Sequence, residues 1–88
     1  MWFTAIRNVY YITFLLDMTM KTDRLIKMAN DISDFFNAEP DKEVAAEGVK
    51  NHLLRSWEPR MRQAIIAHYQ QSGEGLSDLA KHAIAKLS

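Results

Sequence analysis

The chain contains no cysteine. That excludes disulfides, thiolate zinc sites, cysteine-ligated iron–sulfur clusters and thiol nucleophiles, and it fits a reducing compartment. Net charge is missing as well. Eleven basic residues balance eleven acidic ones, so nothing draws the whole molecule toward nucleic acid or an anionic membrane. A basic patch would have to be local, and Lys50, Arg55, Arg60 and Arg62 are the cluster that could form one. The apolar run from Val9 to Leu16 falls well short of the roughly 20 residues needed to span a bilayer. There is no internal repeat and no low-complexity tract, and after residue 20 nothing alternates with period two for long enough to read as a strand.

What is present is a chain of 88 residues with 48% hydrophobic content, ordinary for a globular protein. A single domain of this size hides only roughly 60–65% of its unfolded surface, so its stability is marginal and a partner would help it. Residues 1–20 form an apolar extension unlike the rest. One basic residue, Arg7, precedes its apolar run, and no small-residue cleavage site follows Leu16, which argues against a secretory signal. Met18 and Met20 open a stretch of different character, and translation from there is the expectation. An extra helix or strand packed on the domain, or a membrane tether, are the alternatives.

Residues 21–88 read as four short helices. Apolar residues recur at helical spacing at Leu25, Met28, Ala29, Ile32, Phe35 and Phe36, with Thr22 or Asp23 as cap and Asp23–Lys27 as a favourable i, i+4 pair. Asn37 and Pro40 stop this first helix. Asp41 caps the second, whose buried face is Ala45, Val49, His52 and Leu53. Gly48 lies in that face at a cost of about 1 kcal/mol against alanine, which a close helix crossing would offset. Glu58 precedes a proline and is biased away from helix, so the second helix ends by Trp57. Pro59 suits the first position of the third helix, with Met61, Ala64, Ile65 and His68 as its stripe and Gly73 as a left-handed stop. Ser77 caps the fourth, with Leu79, Ala80, Ala83, Ile84 and Leu87 facing inward. The expected fold is all-α, with short loops that bring neighbouring helices together antiparallel or at a steep angle.

Little in this pattern reads as chemistry. His52, His68 and His82 fall on three different helices without a partner at metal-ligand spacing. The carboxylates are scattered, and no two stand out as an acid–base pair. Gly73-Glu74-Gly75 has neither the preceding strand nor the lysine of a phosphate loop, and reads as a turn.

The corner Trp57-Glu58-Pro59-Arg60-Met61-Arg62 is the distinctive stretch. On a helix Arg60 and Arg62 stand about 200° apart, which argues against a shared phosphate clamp. With Pro59 as the first helical residue, Trp57 and Arg62 occupy hydrophobic-staple positions, with tryptophan against a guanidinium stem. The corner reads as a rigid elbow. Its tryptophan and arginines are also the residue types enriched at binding hot spots, so Arg55, Trp57, Arg60 and Arg62 are the candidate partner-binding residues. No catalytic, cofactor-binding or metal-ligating residue is assigned.

Three stretches together resemble the delta subunit of soluble NAD-dependent formate dehydrogenase: Leu25 to Ile32 with Phe35-Phe36, Asn51 to Arg62, and Gly73 to Ser77. The resemblance covers roughly residues 22–87. It implies a non-catalytic accessory subunit, cytoplasmic, that binds the catalytic (alpha) subunit and supports assembly or stability of a complex oxidising formate to carbon dioxide. It also implies that the molybdenum or tungsten pterin, the iron–sulfur clusters, FMN and NAD belong to partner subunits, with no cofactor in this chain. The alternatives from other classes are a small helical nucleic-acid-binding regulator using the basic corner from Arg55 to Arg62, and a membrane-tethered adaptor.

Overall fold

A computed structural model describes residues 21–88; the expectations for residues 1–20 lie outside them. The described residues form four helices and no strand: α1 (21–36), α2 (Lys42–Ser56), α3 (Pro59–Gln71) and α4 (Asp78–Leu87). The all-α expectation is met. No helix among the described residues is long and apolar enough to cross a membrane.

Local chemistry sets most of the boundaries. Asp41 Oδ1 accepts from the backbone N–H groups of Glu43 (3.0 Å) and Val44 (3.3 Å), satisfying two of the donors orphaned at a helix start. Ser77 Oγ does the same for Ala80 (3.2 Å). Pro59 stands at the start of α3, after Trp57 and Glu58 in extended conformation, as the restriction on a residue before proline requires. Gly73 has φ 67° and donates its N–H to the His68 carbonyl at 2.9 Å, ending α3 with a conformation that a side chain would strain. Between α1 and α2 the Lys42 ammonium bonds the carbonyls of Asn37 and Glu39 and the Asn37 side chain.

The start of α1 differs from expectation. The chain is already helical at Lys21, so neither Thr22 nor Asp23 caps it. Lys27 pairs forward with Asp31 at 3.2 Å rather than back to Asp23; both spacings are sterically open on a helix, and this exposed pair contributes little.

The core is built around α4, which packs against both α2 and α3. It buries Leu79, Ala80, Ala83 and Ile84 against Ala45, Ala46, Val49 and Leu53 of α2 and Ile65 of α3, while Leu25 and Ala29 bring in α1. The many alanines let helix backbones approach closely. Gly48 extends this logic. A Cβ there would lie 2.6 Å from the Phe36 ring, so the glycine marks the close α1–α2 crossing anticipated for it.

One expectation on α1 is corrected. Phe35 is 79% exposed. Leu25, Ala29 and Phe36 lie nearly in line at about 100° per residue, which leaves Phe35 about 100° off the middle of that line, stacked edge-on against Phe36 at 5.2 Å. Ser33, not assigned to the core from sequence, is buried and donates from Oγ to the Ala29 carbonyl at 2.8 Å, a back-bond that satisfies it within its own helix.

Asn30 on α1 fastens the far end of the fold. Its amide nitrogen donates to the Gly75 carbonyl (2.8 Å), and its oxygen accepts from the Ser77 backbone N–H (2.9 Å). The α3–α4 turn is thereby held to α1 across separations of 45 and 47 residues. Two of the stretches carrying the family resemblance meet at this point.

Candidate partner-docking site

The elbow between α2 and α3 divides the four candidate residues into two pairs with different work. Trp57 is buried at 4% exposure, in the same cluster as Leu53 and Ile65. Trp57, counted from sequence among the candidate partner-binding residues, thus lies in the core: the two extended residues at the corner turn its ring inward, where it anchors the elbow. Arg62 is half-buried, and its guanidinium donates to the carbonyl oxygens of Trp57 and of Leu54, the latter at 3.5 Å. Pro59 opens α3, which puts Trp57 and Arg62 at the staple positions, and the contact Arg62 makes there is with the backbone. It places a positive charge on the unsatisfied carbonyls at the C-terminal end of α2, where a helix dipole favours it.

Arg55 and Arg60 are the outward pair. Arg55 lies in the last turn of α2 and Arg60 in the first turn of α3, both exposed. Arg60 and Arg62 diverge as helical geometry predicts, one to solvent and one back to α2. The remaining member of the linear basic cluster, Lys50, pairs with Glu47 at 3.2 Å. Arg60's neighbours in space come instead from α1. It lines a groove between α1 and α3 together with Lys21 and Arg24. Sequence reading missed both. The signal for Arg24 was its place beside Leu25 at the edge of the α1 stripe, but finding it required knowing that α1 lies along α3.

The charged groups elsewhere serve the fold. Glu43 on α2 binds Lys86 on α4, and His82 Nε2 lies 3.1 Å from its other oxygen. Lys86 also approaches Glu47 at 3.8 Å. The hydrogen bond from Lys86, helped by the charges of Lys86 and His82, holds the Glu43 carboxyl below its usual range, and the same bond raises Lys86. His68 Nε2–H donates to the Glu74 carbonyl at 2.7 Å, closing the turn after α3. His52 stands edge-on to Phe36. Each histidine thus has a local neighbour of its own, and no group of three or more metal-ligating side chains occurs among the described residues.

The arrangement suits recognition: a fixed elbow, two outward arginines and a flanking groove. Comparison with known proteins gives this surface a context. No curated protein and no solved structure matches the chain significantly. Residues 24–84 match the family model described as the NADH-dependent formate dehydrogenase delta subunit FdsD. That match runs from the first turns of α1 into the last turn of α4, and the chain belongs to this formate dehydrogenase delta-subunit family.

Proposed function

We propose that the chain is a non-catalytic accessory subunit that docks on the catalytic (alpha) subunit of a cytoplasmic NAD-dependent formate dehydrogenase and supports its assembly or stability. The observation that carries this reading is the family match over residues 24–84. The elbow adds a physical route. Arg55 and Arg60 project from a corner fixed by buried Trp57 and by Arg62 on the α2 carbonyls. A rigid frame spares the backbone ordering that binding would otherwise cost, and arginine is a residue type that hot spots favour. In this reading Arg55 and Arg60 contact the partner, while Trp57 and Arg62 position them. The molybdenum or tungsten pterin, the iron–sulfur clusters, FMN and NAD belong to the partner subunits.

The test is co-expression of the tagged full chain with the large subunits. The catalytic subunit is expected to co-purify with it, and formate-dependent NAD reduction should survive longer on storage than in enzyme made without the chain. A catalytic subunit that elutes alone, with equal activity and equal half-life in both preparations, would refute the reading.

A further inference from the structure

The groove beside Arg60 has a volume of about 580 Å3 and opens between α1 and α3. Its floor is apolar: Leu25 and Met28 from one helix, Met61 and Ala64 from the other. Its rim is cationic, with Lys21, Arg24 and Arg60, and no carboxylate lines it among the described residues. Elsewhere the lysines that approach acids are neutralised, Lys27 by Asp31, Lys50 by Glu47 and Lys86 by Glu43. Lys21, Arg24 and Arg60 have no ion pair among the described residues. On a chain of zero net charge, three cations without an ion pair thus stand around one apolar trough.

We propose that this groove seats a segment of the catalytic subunit that presents aliphatic side chains flanked by aspartate or glutamate. The inference rests on the docking reading above and specifies its chemistry. Arginine's planar fork matches a carboxylate with two parallel hydrogen bonds. The arginine stems can lie along the groove walls while their charged ends reach the rim. The two methionines give the floor an adaptable surface for branched aliphatic groups.

Charge complementarity selects this occupant over the others. A second copy docking face to face would bring the same cations against each other, since a two-fold interface pairs one patch with itself. A phosphate backbone would answer the rim but leave the apolar floor without a partner. The chain's own residues 1–17 are apolar but carry one acid, Asp17, against one base, Arg7, and leave the rim largely unanswered.

The absence of native cysteine makes a single introduced thiol a clean probe. The full chain carrying Ala64→Cys is alkylated alone and with excess purified catalytic subunit. In parallel, the affinity of the Arg24→Glu, Arg60→Glu double variant is compared with that of the unmodified chain at about 50 and about 300 mM salt. Alkylation is expected to slow about tenfold or more in the complex, and the charge reversal to weaken binding about tenfold, most at low salt. Circular dichroism of the double variant should be unchanged, because Arg24 and Arg60 are exposed. If Ala64→Cys does not fold, Met28→Cys probes the same floor.

Unprotected thiol and unchanged affinity, with the parent chain still bound, would overturn the groove assignment and leave docking standing. Failure of the parent chain to bind at all would remove the docking reading and this one with it. Protection already present in the dilute isolated chain would mean that its own residues fill the groove, and protection that rises with its concentration would mean that a second copy does; either overturns the proposal.

Discussion

Trp57→Ala should unfold this domain before it affects docking. The side chain is 4% exposed and belongs to the central cluster. Truncating a buried tryptophan to alanine costs about 3–5 kcal/mol, from lost transfer free energy and the cavity left behind. A chain of 88 residues has a total stability of about 4–13 kcal/mol at the usual per-residue range. The substitution therefore removes between roughly a quarter and all of it. With a urea dependence of about 1 kcal/mol per molar, typical of small domains, the midpoint should fall by about 3 M or more, or the variant should be unfolded without denaturant. The assay is urea unfolding followed by circular dichroism at the helical band. Fluorescence is less suitable, because Trp2 also contributes. Trp57→Phe keeps a large ring in the core and should retain the fold and partner binding. A Trp57→Ala midpoint within about 0.5 M of the parent, together with at least tenfold weaker binding to the catalytic subunit, would refute this reasoning and return the tryptophan to the surface.

Other predictions test the framework around that elbow. Asn30→Asp removes the donor to the Gly75 carbonyl and sets a carboxylate against it; a loss of about 1–3 kcal/mol is expected in urea unfolding, and no loss would dissolve the clasp. Gly48→Ala should gain about 1 kcal/mol in helix propensity but lose about 1–3 kcal/mol by overpacking against Phe36, for a net destabilisation. In a Phe36→Ala background the same change should become stabilising, and equal effects in both backgrounds would sink the close-crossing account. Glu43's depressed carboxyl contributes stability above the ordinary carboxylate range, lost as pH falls through its lowered value, while Lys86's raised ammonium contributes until pH rises through its own. Glu43→Gln should therefore lower Tm modestly at pH 7 and by progressively less as pH falls below the ordinary carboxylate range; a difference that does not shrink in acid would mean that the pair is not its source.

What was legible in the sequence was what is decided within a turn or two of the chain. Asp41 and Ser77 as caps, Pro59 as a helix start and Gly73 as a stop depend on backbone groups two to five residues away, and all four stand as read. Helix faces followed from spacing, but adjacent Phe35 and Phe36 both fitted the α1 stripe, and only the position of Gly48 on α2 decides which ring goes inward. Capping residues at Thr22 and Asp23 suggested a helix start that the chain does not use, since helix already runs through Lys21. Asn30 gave no local sign of its role, because its partners lie 45 and 47 residues away. The candidate site is regrouped by packing in the same way. Residue type and closeness in sequence grouped Arg55, Trp57, Arg60 and Arg62, whereas packing buries Trp57, turns Arg62 onto α2 and gives Arg60 the company of Arg24 and Lys21.

That regrouping bears on why a domain so small has such specific residues. The three stretches that carry the family resemblance are joined mechanically: Asn30 of the first holds Gly75 and Ser77 of the third, and Trp57 and Arg62 of the second lock the corner between α2 and α3. Those side chains face inward or bond backbone, which suits them to holding the frame. Their effect is to fix α1 against α3 and the following turn, and so to fix the separation of Arg24 from Arg60 across the groove. A marginally stable domain would otherwise have to order the backbone of this surface on binding, at about 1–2 kcal/mol for each residue fixed. Rigidity set by the clasp and the elbow lowers that cost in advance. It follows that Asn30→Asp, far from the rim, should weaken docking as well as stability, whereas Arg60→Glu should weaken docking alone. If the clasp variant bound the catalytic subunit as tightly as the parent while still folded, preorganisation would not be the function of these buried contacts.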